Sequence, residues 1–136
     1  MKKLLLGDEA IAQGAVDAGL SGVYAYPGTP STEITEYIQL CEKRKALSAS
    51  LGDGADSAYS LEAKGRIFCQ WATNEKTAME AALGMSYMGK RALVCMKHVG
   101  MNVCADAFMN AAITGVNGGL VVLAADDPSM HSSQNE

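Results

Sequence analysis

The sequence predicts an α/β fold, a parallel sheet with helices on both faces. Three observations carry this. Strand-like and helical runs alternate along the chain. The strand runs, such as Ala92 to Met96 and Leu120 to Ala125, are almost continuously apolar, as strands covered on both faces are. And the Thr, Asn, His and Asp residues concentrate in segments that follow strands, at the edge where such sheets bind ligands.

Asp8 is placed to cap a first helix running through Ala18, with Gly19 closing it. Val23 to Tyr26 reads as a short strand, and Pro27-Gly28-Thr29-Pro30 as a loop. Ser31 or Thr32 then caps a helix to about Arg44, with Ile34, Tyr37, Ile38 and Cys41 on one face. Residues Lys45 to Arg66 carry Gly52, Gly54, Gly65 and several serines without strong periodicity. They read as a surface excursion, with a short helix near Asp56 to Ala63. Ile67 to Ala72 is a strand, and Glu75 to Met88 a helix closed by Gly89. The strand Ala92 to Met96 leads through a loop, Lys97 to Met101, into a helix of roughly Asn102 to Thr114. Gly118-Gly119 precedes the strand Leu120 to Ala125, and the chain finishes in a polar segment, Asp126 to Glu136. A segment of that kind after a strand suggests a chain that stops in mid-domain or at the edge of a larger protein. Four loops, Pro27–Ser31, Thr73–Glu75, Lys97–Asn102 and Asp126–Glu136, should gather on one edge.

With 136 residues the chain fits one domain, long enough for a core without staples. A hydrophobic share of 49% and a charged share of 19% mark a globular protein. The net charge of −4, with no basic run, argues against nucleic acid or a membrane surface as partner. Met1-Lys2-Lys3-Leu4-Leu5-Leu6 starts like a signal peptide, but Gly7-Asp8-Glu9 ends the apolar stretch too soon. No segment approaches transmembrane length, so a cytoplasmic location is expected. The cysteines Cys41, Cys69, Cys95 and Cys104 show no CxxC spacing. They read as isolated reduced thiols in or near the core, not as an iron–sulfur site.

Glu75 is the most informative residue. Ala78, Met79, Ala82, Leu83 and Ser86 follow it at i+3, i+4, i+7, i+8 and i+11, so a carboxylate shares the stripe that should be buried. Burying a carboxylate is costly unless it is paired or protonated, and such a cost is often tolerated where the group does chemistry. The bland alternative is a first-turn acid that favours the helix dipole. Glu80, off the stripe and able to pair with Lys76 at i,i+4, reads as solvated. In Pro27-Gly28-Thr29-Pro30 two prolines fix the backbone around Gly28 and Thr29, a rigid frame for a hydroxyl and backbone N–H groups, or simply a strand-to-helix turn. In Met96-Lys97-His98-Val99-Gly100-Met101-Asn102, Gly100 would let backbone approach a ligand. His98 and His131 lack carboxylate or Cys partners at ligand spacing, so no metal site built by the protein is expected.

The quoted segments resemble one family. Leu4 to Ala12, Ala25-Tyr26-Pro27-Gly28-Thr29-Pro30-Ser31-Thr32-Glu33-Ile34, Asn74-Glu75-Lys76, Met96 to Asn102 and Asp126 to Glu136 are similar to the N-terminal part of the α subunit of indolepyruvate:ferredoxin oxidoreductases. These are thiamine-diphosphate-dependent 2-oxoacid:ferredoxin oxidoreductases. The resemblance covers nearly the whole chain except Lys45 to Arg66. The Gly52-Asp53-Gly54 run is like the magnesium–diphosphate motif of thiamine enzymes, but its poor strand context and its spacing to Asn74 favour a flexible turn.

The resemblance implies that residues 1–136 are a pyrimidine-binding domain of the thiamine-diphosphate fold. It implies that Glu75 meets the cofactor's aminopyrimidine N1′ and shares a proton with it. Thr29 would approach cofactor and oxoacid, Gly28 would also bind the cofactor, and His98 and Gly100 would lie in the loop beside the aminopyrimidine. His131, Gln134 and Asn135 would lie near the substrate. The activity implied is oxidative decarboxylation of an arylpyruvate to the aryl-acetyl-CoA. Ferredoxin would be the electron acceptor, and coenzyme A would take the acyl group. The cofactor supplies the carbanion chemistry and the protein supplies position and polarity. Magnesium, the diphosphate site and 4Fe–4S clusters would come from the remainder of the α subunit and from a β subunit, so this segment alone should be catalytically incomplete. Two alternatives stay open: a free-standing, non-catalytic binding module of the same fold, and an oxidoreductase for another 2-oxoacid.

Overall fold

The computed structural model describes residues 4–51 and 65–126. The expected helix near Asp56, the Gly52-Asp53-Gly54 turn and the segment holding His131, Gln134 and Asn135 lie outside the described residues. The elements are α1 (Gly7–Asp17), β1 (Gly22–Ala25), α2 (Thr32–Leu51), β2 (Phe68–Trp71), α3 (Glu75–Tyr87), β3 (Ala92–Lys97), α4 (Gly100–Val103), α5 (Ala105–Thr114) and β4 (Leu120–Ala125). The strands form one parallel sheet in the order β2-β1-β3-β4. This is the predicted α/β architecture.

Strand alternation divides the core into two layers. On one face Val23, Ala25, Leu93 and Cys95 pack against Ala12, Val16 and Leu20 and against Ile34, Tyr37, Ile38 and Cys41. On the other, Tyr24, Ala92, Val94 and Met96 pack against Ala78, Met79 and Ala82 of α3 and against Cys104 and Ala107. Each fully buried Ile, Val or Met contributes about 1.5–3 kcal/mol. So α1 and α2 cover one face, while α3, α4 and α5 cover the other.

Several boundaries differ from the sequence expectations. Helix α1 starts at Gly7, where the Glu9 carboxylate accepts from the Leu6 N–H at 3.0 Å, so Asp8 lies inside the first turn. Helix α2 runs on to Leu51 instead of stopping near Arg44. The expected helix Asn102–Thr114 is broken at Cys104 into α4 and α5. Gly19 and Gly89 do close α1 and α3, at φ of 82° and 75°, where other residues are strained. The C-terminal end of α3 is tied to the approach to β4. Ser86 Oγ donates to the Gly118 carbonyl and the Gly118 N–H donates to the Ser86 carbonyl, both at 2.8 Å.

All four cysteines are free thiols, Cys41, Cys95 and Cys104 buried and Cys69 partly so. Burial pushes Cys69 up to about 11 and Cys95 up to about 12. These are inert core thiols, as expected. Glu80 is exposed, but Lys76 has a closer partner than predicted. Its Nζ lies 2.8 Å from Asp106 Oδ2 on α5 and 4.0 Å from Glu80. No helix among the described residues is long and apolar enough to cross a membrane.

Candidate functional site

In a parallel sheet every strand ends on the same edge, so the loops after β1, β2 and β3 are neighbours in the order of their strands. The chain leaves β1 for the α1–α2 face and leaves β2 and β3 for the opposite face. The loop after β1 therefore diverges from both of its neighbours. In open α/β sheets such a divergence marks the crevice at the carboxyl ends of the strands where ligands bind. The sequence-predicted residues Thr29, Glu75, His98 and Gly100 all lie on these three loops or at the first turns that follow them.

Glu75 is the first residue of α3 and is only 8% exposed. Asn74 sets the helix start, its side-chain oxygen accepting from the Thr77 N–H at 2.9 Å and the Thr77 hydroxyl at 3.0 Å. Ala78, Met79, Ala82, Leu83 and Ser86 are buried along with Glu75, so the carboxylate does share the buried stripe. Among the described residues no side chain forms a hydrogen bond or ion pair with it. Instead it packs on Gly100. A methyl group placed on Gly100 would lie 2.6 Å from Glu75 Cγ and 2.8 Å from Oε1.

One turn beyond Gly100, Cys104 is fully buried and its thiol points at Met96 Sδ, 3.5 Å away. Burial raises that thiol's pKa, and the nearby Glu75 charge raises it further. The carboxylate thus sits at the boundary between the crevice and a sulfur-lined part of the core.

The Pro27–Ser31 loop is rigid by its own hydrogen bonds. The Gly28 N–H donates to Thr32 Oγ1 at 3.0 Å, and the Ser31 hydroxyl and N–H both donate to the Gly28 carbonyl at 2.9 Å. Ser31 is fully buried and the Thr29–Pro30 peptide is cis. Pro27 and Pro30 have no N–H, and those of Gly28 and Ser31 are engaged within the loop. Thr29 is exposed, and its hydroxyl and N–H make no hydrogen bond among the described residues. The loop therefore leaves Thr29 with an exposed hydroxyl and a free N–H at the carboxyl edge of the sheet, among the described residues. Gly28 lies against Lys97, its virtual Cβ 3.5 Å from the lysine Cβ, which joins this loop to the one after β3.

His98 is pinned by its backbone N–H, which donates to the Ala125 carbonyl at 2.9 Å. Its Nδ1 lies 3.3 Å from Asp126 Oδ1, within ion-pair range but outside hydrogen-bond geometry. Both ring nitrogens are buried and have no hydrogen-bond partner among the described residues. A buried polar atom in that state is costly, and a ligand group at that place would relieve the cost.

Sequence reasoning did not single out Asn74 as the cap or Asp126 as the neighbour of His98. Asn three residues before Thr77 at a helix start is a recognisable capping signal. The Asp126 contact depends on β4 lying next to β3, which no local pattern states. A separate groove lined by Glu42, Lys43, Lys45, Ala46, Gly65 and Arg66 lies by the start of β2, at the opposite edge of the sheet.

No protein-family model matches the chain. The indolepyruvate oxidoreductase subunit IorA of Archaeoglobus fulgidus is 46% identical over 135 residues, which is 99% of this chain and 19% of that protein. The IorA subunit of Pyrococcus horikoshii is 44% identical, over 99% of this chain and 18% of that protein. The IorA subunit of Methanothermobacter thermautotrophicus is 41% identical, over 99% and 19%. The chain thus spans about a fifth of the length of the curated relatives it matches. Among solved structures, the 2-oxoglutarate:ferredoxin oxidoreductase of Magnetococcus marinus, with 2-oxoglutarate, coenzyme A and succinyl-CoA bound, superposes with a TM-score of 0.65. That match covers 95% of this chain and 19% of the other at 21% identity, a likeness of fold.

Proposed function

We propose that this chain is the pyrimidine-binding part of an indolepyruvate:ferredoxin oxidoreductase. The whole enzyme would decarboxylate arylpyruvates oxidatively, passing electrons to ferredoxin and the acyl group to coenzyme A. The observation that carries the reading is Glu75, a buried carboxylate with no protein partner among the described residues, at the crevice where the strand order diverges. It is supported by identity of 41–46% to IorA subunits across nearly the entire chain.

The residues present fit thiamine diphosphate at its pyrimidine end. A buried carboxyl without a protein partner among the described residues is what a ring nitrogen needs in order to share a proton, and the ring nitrogens of His98, which make no hydrogen bond among the described residues, would offer further polar contacts from the loop after β3. When bound, the cofactor supplies stabilisation of the carbanion left by loss of carbon dioxide. Glu75 would hold or release a proton at N1′ of the aminopyrimidine. Thr29 would hydrogen-bond to the cofactor or the oxoacid from its rigid loop, and Gly28 would keep that loop close to the edge. His98 and Gly100 would flank Glu75 from the loop after β3. His131, Gln134 and Asn135 would complete the substrate side. The diphosphate, magnesium and iron–sulfur sites would be supplied by the remainder of the α subunit and by a β subunit. We place the assembly in the cytoplasm.

The test is Glu75→Gln in the complete enzyme. Loss of one general acid–base group costs about 10²–10⁴-fold in rate. Ferredoxin reduction should fall by that much while the thermal midpoint does not fall. Near wild-type turnover with indolepyruvate would sink the role assigned to Glu75. Comparing aryl with aliphatic 2-oxoacids in the same assay decides the substrate class.

A further inference from the structure

We propose that Gly100 is the positioning residue for the Glu75 carboxyl: the space its missing side chain leaves is taken by Glu75 itself. This rests on the role given to Glu75 above. The sequence alone suggests that Gly100 admits a ligand. The geometry points elsewhere. A methyl group on Gly100 would stand 2.6 Å from Glu75 Cγ, 2.8 Å from Oε1 and 3.0 Å from Cδ. Comfortable separations between such heavy atoms are about 3.5–4.0 Å. All three atoms belong to the Glu75 side chain. The methyl group therefore displaces the carboxyl and leaves the fold in place.

Both residues are fixed from behind, so the contact is a seat and not a passing touch. Glu75 is held by the Asn74 cap and by the buried stripe of α3. Gly100 is buried, and the Cys104 N–H, one turn on, donates to its carbonyl at 3.0 Å. Cys104 in turn packs on Met96 within the core. The loop after β3 and the helix after β2 meet here. A displacement of about 1 Å in a reacting group costs about 10²-fold in rate.

The experiment uses the complete enzyme with Gly100→Ala, Glu75→Gln, Glu75→Ala and the paired variants. Three quantities are read: kcat and KM, the equilibrium binding of thiamine diphosphate, and the thermal midpoint without cofactor. Gly100→Ala should lower kcat by about 10²-fold with little change in KM. The methyl group should lower the midpoint when Glu75 is present and leave it unchanged or raised in the Glu75→Ala background, where there is room for it. In the Glu75→Gln background, whose side chain is isosteric, the methyl group should again lower the midpoint. The proposal is overturned if Gly100→Ala lowers the midpoint equally with and without the Glu75 side chain. It is also overturned if Gly100→Ala weakens cofactor binding as much in the Glu75→Ala background as in the parent, since Gly100 would then be admitting the ligand. The underlying reading fails separately: full turnover of Glu75→Gln removes the catalytic role, whereas the coupling of midpoints between positions 75 and 100 would still stand.

Discussion

Gly118→Ala should be among the most damaging small substitutions in this chain, and its cost can be worked from the structure. The added methyl group would fall on the Lys90 carbonyl oxygen and lie 2.7 Å from Gly89 C and Lys90 N. These are backbone atoms of a turn and cannot swing away as a side-chain tip does. Overpacking against such a neighbour costs about 1–3 kcal/mol. Separating the two segments also stretches both 2.8 Å hydrogen bonds that join Ser86 and Gly118. Each is worth about 0.5–1.5 kcal/mol net. Alanine makes the unfolded chain less flexible, which returns about 0.4–1 kcal/mol. The expected loss is about 1–6 kcal/mol, against a typical domain stability of about 5–15 kcal/mol.

In a urea titration with an m-value of about 2 kcal/mol/M, the midpoint would fall by about 0.5–3 M. Ser86→Ala removes a single bond without adding volume and should cost less. Gly118 lies at the start of β4, on the edge of the sheet opposite Glu75, so kcat of the folded fraction should be unchanged in the complete enzyme. A midpoint equal to the parent's, or Ser86→Ala costing more than Gly118→Ala, would refute the packing argument.

Other expectations are independent of that one. Asn74→Ala removes the cap of α3 and should cost about 1 kcal/mol in denaturant unfolding, whereas Asn74→Asp, which can still cap, should cost much less. Iodoacetamide at pH 8 should label the native thiols slowly and the unfolded chain rapidly, because burial pushes Cys69 up to about 11 and Cys95 up to about 12. Prompt native labelling of Cys95, read by mass spectrometry, would contradict this. Asp106 has its pKa lowered, chiefly by the hydrogen bond from Lys76, so its contribution to stability is present above the ordinary carboxyl value of 3.8 and is lost as pH falls through the folded value. An acid unfolding curve of Lys76→Gln should lack that component. The contribution should also shrink in high salt, because both groups face solvent.

The layers of this fold were legible because each strand run carries its own signature, and the Glu75 stripe was legible because helix periodicity marks the buried side. Strand order was not, since adjacency of β1 with both β2 and β3 is a property of packing and not of any local run. Helix α2 shows why a boundary was lost. Residues Lys43 and Arg44 and Ala46 through Ser50 are exposed, so that part of the helix buries no stripe and leaves no periodic signal. Its Ala, Leu and Lys residues and the 2.8 Å Glu42–Lys45 pair still favour helix. Lys76 was assigned to Glu80 because i,i+4 neighbours are all a sequence can offer, and Asp106 is brought near only by the packing of α5 on α3. At the candidate site, the sequence marked Thr29, Glu75, His98 and Gly100 by type and by their position after strands, and the fold puts them on neighbouring loops. Their mutual relation was not legible, because Gly100 lies 25 positions beyond Glu75 and the two meet through different strands.

Helix α3 joins two duties that are usually kept apart. Its first residue is the carboxylate of the crevice, and the next turns, through Ala78, Met79 and Ala82, rest on the sheet. The helix acts as a ruler between the middle of the sheet and its carboxyl edge. Shortening Met79 or enlarging Ala78 would be read out at Glu75 as a shift in position, even though neither residue reaches the crevice. Attempts to stabilise this protein are therefore freer on the α1–α2 layer, where packing and the carboxylate are mechanically separate, than anywhere along α3.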